Sequence, residues 1–84
     1  MTFDFDKEKK ELLKRERNIS FDEVIYAIEN GSLISVENNP NYENQKMYIV
    51  NINNYAYVVP FVESGDCVFL KTIYASRKYN KEFL

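Results

Sequence analysis

There is no histidine and no tryptophan in this chain, and Cys67 is its only cysteine. One cysteine cannot make a disulfide within the chain, and it suits a reducing cytosol. Without imidazole, neither a serine–histidine nor a cysteine–histidine nucleophile can be assembled. A zinc site has little to draw on, since carboxylates alone rarely hold that metal. Glycine and proline number two each, and there is no Gly-rich phosphate loop, linker or low-complexity stretch. No apolar run approaches the ~20 residues of a membrane span. The start carries Asp4 and Asp6 where a secretory signal would be basic and then apolar. The expectation is a cytoplasmic protein with no cofactor, no metal and no membrane partner.

What is present fits one small globular domain over residues 1–84, at 45% hydrophobic and 15% aromatic. Such a chain buries roughly 60% of the surface it exposes unfolded, enough for one core. The net charge of -2 hides an uneven distribution. Residues 18–70 hold one basic side chain, Lys46, against seven acidic ones, a net of -6. The two ends hold the other ten Lys and Arg and sum to +4. A fold that brought the ends together would give an acidic protein one basic face.

Thr2–Phe5 alternates polar and apolar, which predicts a short strand with Phe3 and Phe5 on one face. Asp6 stands at an N-cap position before a charged helix over 7–17, with Leu12 and Leu13 inward and Asn18 as its left-handed stop. Ser20 and Glu23 form a capping box flanked by an Ile19–Val24 staple. Phe21, Val24, Ile25 and Ile28 then make the apolar stripe of a second helix that Gly31 closes. From Ser32 the period falls to two. Strands are expected over 32–37, 46–52, 55–63 and 67–75, with a polar loop over 38–44 and an Asn53-Asn54 hairpin turn. Pro60 within the third of these suggests an edge or a bulge. The fold class is therefore α+β: a short N-terminal strand, two helices on one sheet face, an antiparallel β-meander and a short C-terminal tail.

The chemistry-bearing stretch is Lys71–Lys81. It carries four cations, Lys71, Arg77, Lys78 and Lys81, and two tyrosines, Tyr74 and Tyr79, in eleven residues. Unbroken strand alternation would put Lys71, Ile73 and Ala75 on one face, with Thr72 and Tyr74 on the other. Cations for phosphates and rings for bases are the ingredients of single-stranded RNA recognition. They also suit metal-free RNA cleavage, in which the ribose 2′-hydroxyl attacks its own phosphate. There Arg stabilises the phosphorane oxygens with its two-pronged fork, and a Lys or Tyr moves protons if its pKa is lowered. A basic solvated tail is the plainer account of the same residues. Tyr48, Tyr55 and Tyr57 sit at strand spacing and read as packing.

Three segments together resemble a known family: Phe5-Asp6-x-x-Lys9, then Asn18–Val24, then Ala75-Ser76-Arg77-Lys78. They are similar to the BrnT-type toxins, small ribonucleases of RelE-like fold from bacterial type II toxin–antitoxin systems. The resemblance implies a metal-independent endoribonuclease that inhibits translation. It implies a cognate antitoxin, commonly a ribbon-helix-helix DNA-binding protein, through which alone the pair would reach operator DNA. Arg77 would bind the scissile phosphate, with Lys71 and Lys78 in support and Tyr74 or Tyr79 stacking or carrying a proton. Lys9, Arg17 and Lys81 would contact flanking RNA phosphates. Two positions depart from the family. Arg17-Asn18 stands where its members commonly have His-Gly, and Leu13 where many have Asn. Asn replaces Gly at a left-handed position, but Arg does not replace His as a proton carrier near neutral pH. The alternative is a non-catalytic interaction module of the same fold, a decayed toxin that binds an antitoxin-like protein.

Overall fold

A computed structural model describes all 84 residues. The elements run β1 (Thr2–Phe5), α1 (Lys7–Arg17), α2 (Phe21–Glu29), β2 (Leu33–Asn38), β3 (Lys46–Ile52), β4 (Tyr55–Ser64), β5 (Cys67–Leu70), β6 (Tyr74–Ala75) and α3 (Arg77–Phe83). The mixed six-stranded sheet has the order β1-β5-β4-β3-β2, with β6 also on β4. All pairings are antiparallel except β1 with β5, which runs parallel in the register Thr2↔Cys67 to Phe5↔Leu70.

The local signals for the first two helices act as expected. The Asp6 carboxylate accepts the Glu8 and Lys9 amides, and Asn18 ends α1 at φ 53°. At α2, Ser20 Oγ accepts the Asp22 amide at 3.2 Å while the Glu23 carboxylate accepts the Ser20 amide at 2.9 Å. Asn53 and Asn54 take φ of 54° and 65°, the left-handed pair a two-residue hairpin needs.

Alternation along the strands divides the core in two. Tyr48, Val50, Val59, Phe61, Val68 and Leu70 face α1 and α2, where Leu13, Ile19, Phe21 and Val24 meet them. Met47, Ile49, Ala56 and Val58 form a smaller cluster on the opposite face, with Tyr79 of α3 packed against it. The tail is thus a helix, and it covers the face that the first two helices leave open. Within α2 the buried stripe is Phe21, Val24 and Ala27, whereas Ile25 and Ile28 are half-buried at its flanks.

The strand expected over 67–75 is broken. Going from Phe61 to Val58 takes three steps on β4, but from Leu70 to Tyr74 it takes four, so one extra residue is inserted. The cause lies opposite the break. Pro60 has no N–H to donate, and its carbonyl accepts the Lys71 amide at 2.8 Å, so its missing donor faces the gap. The insertion reverses the side-chain parity. Leu70 and Ile73, three apart, both point into the larger core, and Lys71 does not share a face with Ile73 as unbroken alternation required.

Candidate functional site

The break in the strand builds the rim of a cleft. Lys71 is exposed, its Nζ 5.4 Å from the Phe69 ring centre. From the last turn of α1, Arg17 Nη1 donates to the Ile73 carbonyl at 2.6 Å and pins the irregular backbone from the other side. Next to this rim the Asn39–Gln45 loop folds back on itself. The Asn39 amide donates to the Gln45 carbonyl at 3.1 Å, and the Gln45 amide to the Tyr42 carbonyl at 3.1 Å. The Asn39 side chain accepts the Asn41 amide at 3.0 Å and donates to Gln45 Oε1 at 3.3 Å. Between loop and rim lies a cleft of about 400 Å³. Lys9, Lys71, Thr72 and Tyr74 line it from the helix and strand side, and Asn39, Asn41, Tyr42 and Gln45 from the loop.

No carboxylate lines the cleft. The only ionised side chains there are two lysines, in a protein of net charge -2. Lys9 also borders a second depression of about 410 Å³, lined in part by Asp6 and Glu8. Asp22 and Glu23 line a separate groove of about 460 Å³ beside Tyr26 and Asn53, while Glu43 and Glu63 border another depression with Lys46. The groove at Asp22 is larger than the cleft, but it holds no cation.

The remaining candidates belong to α3. Ser76 caps this helix by accepting the Tyr79 amide at 3.1 Å, and Asn80 Oδ1 accepts the Ala56 amide at 3.0 Å, tying helix to sheet. Arg77 and Lys78 occupy the first turn with no acidic residue there, the arrangement the helix dipole disfavours. Lys78 Nζ lies 5.2 Å over the Tyr79 ring, and Tyr79 stacks on Phe83 at 6.0 Å. Lys81 sits in the last turn, where a cation is favourable. Both ion pairs in the structure, Lys10–Asp22 and Lys46–Glu63, lie outside this group.

Tyr74 joins the two neighbourhoods. Burial, and then the nearby Tyr79, push its phenol above the ordinary value. The phenol therefore stays protonated near neutral pH and can donate a proton, whereas the chemistry expected of a base needs a lowered value. Of the residues expected to act together, Lys9, Lys71 and Tyr74 meet in the cleft. Tyr79, Arg77, Lys78 and Lys81 follow on α3, and Arg17 is engaged in holding the rim. The loop residues Asn41 and Tyr42 were not among them. The available signal was a tyrosine placed in an Asn-rich segment with no apolar neighbour in sequence.

No protein-family model, no curated protein and no solved structure matches this chain.

Proposed function

We propose that this protein is the toxin of a type II toxin–antitoxin system with a RelE-like fold, a metal-independent endoribonuclease acting in the cytoplasm. Two things support the reading. One is the similarity of its Phe5-Asp6-x-x-Lys9, Asn18–Val24 and Ala75–Lys78 segments to the BrnT-type toxins. The other, which carries it, is an acid-free cleft with two lysines and two tyrosines, whose rim residue Tyr74 runs through β6 into the cation-bearing α3. Two cations in the first turn of α3 cost local stability, and such a departure from local rules is expected where a surface serves a ligand.

In this mechanism the 2′-hydroxyl attacks the adjacent phosphorus and releases its proton to water. The P–O5′ bond breaks and a 2′,3′-cyclic phosphate remains. Arg77 stabilises the phosphorane oxygens, with Lys71 and Lys78 adding positive charge. Tyr74, kept protonated, gives its proton to the departing 5′-oxygen and regains one from solvent. An antitoxin, in the expected form a ribbon-helix-helix protein, would hold the toxin silent and carry the pair to operator DNA.

The test is RNA cleavage by purified wild type, Arg77→Ala and Arg77→Lys, each with and without excess EDTA. Arg77→Ala should lose about 100- to 1000-fold in rate. Arg77→Lys should recover only part of it, because a point charge cannot replace the planar fork. EDTA should change nothing. A second reading is favoured by one observation: the cleft offers no carboxylate or imidazole to take the 2′-hydroxyl proton. It is the non-catalytic module of the same fold. Intact RNA and unslowed growth, together with tight binding to a neighbour-encoded protein, would establish that reading instead.

A further inference from the structure

The Asn39–Gln45 loop joins two antiparallel strands and is closed by its own hydrogen bonds. Its hydrogen bonds all run within the loop, and none of them serves the core. The product of that construction is Tyr42, a residue left 59% exposed. An aromatic ring held in water by an ordered loop forgoes the burial it could have had. Tyr42 lines the same cleft as Lys9 and Lys71.

We infer that this cleft is a one-nucleotide subsite for single-stranded RNA, with the base stacked on Tyr42 and its phosphate held between Lys9 and Lys71. The loop supplies the selectivity. Asn39 and Gln45 spend part of their carboxamides on each other, and Asn39 Oδ1 on the Asn41 amide. The Asn41 carboxamide has no partner among the protein's hydrogen bonds and is exposed. A free carboxamide offers one donor edge and one acceptor edge, the pattern that pairs with a base edge. A duplex cannot use the subsite, because a paired base presents neither its face nor its Watson–Crick edge. The inference rests on the RNA reading but not on cleavage: it concerns the grip on the nucleotide whose phosphate Lys71 meets, which an uncleavable strand reports as well.

The probes are four fluorescein-labelled 2′-O-methyl octamers, all-A, all-C, all-G and all-U, which bind without being cleaved. Anisotropy titrations compare wild type with Tyr42→Ala, Asn41→Ala and Lys71→Ala, each checked by a thermal melt. Wild type should bind the four with unequal affinity. Tyr42→Ala should weaken the best of them about 5- to 150-fold, the equivalent of about 1–3 kcal/mol for one stacked base. Asn41→Ala should bring the four affinities together, and Lys71→Ala should weaken all four alike. Unchanged binding by Tyr42→Ala alongside weakened binding by Lys71→Ala overturns the subsite and leaves RNA binding standing. A wild type that binds none of the octamers overturns the RNA reading itself.

Discussion

Burial raises the pKa of Tyr48 as it does that of Tyr74, with the Glu63 carboxylate adding to it at Tyr48. The unfolded chain releases these phenol protons near pH 10.0, while the folded protein keeps them to higher pH. Stability should therefore fall as pH rises past about 10 and be untouched by these groups at neutral pH. Urea midpoints at about pH 8 and about pH 11 would register the loss. Tyr48→Phe should shrink it, because that ring is buried against Phe61 with centres 4.0 Å apart. An equal alkaline loss in the Phe variant would show that Tyr48 does not carry it. Asn80 makes a second residue-level case. Its carboxamide satisfies the amide of the buried Ala56, so Asn80→Ala should cost about 1–3 kcal/mol by leaving that donor unpaired. Denaturation of the purified variant checks it.

At the level of elements, the readable parts were those with a local cause. The capping box, the left-handed asparagines and the change of period at Ser32 each act within a few residues, so α1, α2, β3 and the hairpin turn follow from the chain alone. The break after Leu70 has a non-local cause, a proline on the neighbouring strand that no pattern within 67–75 reveals. The parallel seating of β1 on β5 and the face chosen by α3 are tertiary outcomes of the same kind. So is the cleft: Lys71 and Tyr74 were legible as part of a basic aromatic segment and Lys9 through the resemblance, but the loop that completes it was not. Within α2 the burial order gives a graded expectation. Phe21→Ala should cost about 3–5 kcal/mol and the half-exposed Ile25→Ala under about 2. A larger loss at Ile25 in chemical denaturation would contradict that order. At the hairpin, Asn54→Val should cost about 1–2 kcal/mol, the penalty for a side chain with a branched Cβ at positive φ.

For the molecule as a whole, the order of synthesis matters. Thr2–Phe5 has no strand to pair with until Cys67–Leu70 has been made. The cleft is assembled from Lys9, the Asn39–Gln45 loop and Lys71–Tyr74, three stretches spread over most of the sequence. A ribosome adds roughly 5–20 residues per second, so for several seconds the emerging chain holds each part of the cleft without the others. A chain cut short before Lys71 contains the capped helices and the hairpin, yet no rim and no α3. Incomplete translation products therefore lack the cleft, and the surface proposed to meet RNA comes into being only once β5 has closed on β1 and the Lys71–Tyr74 segment has followed it.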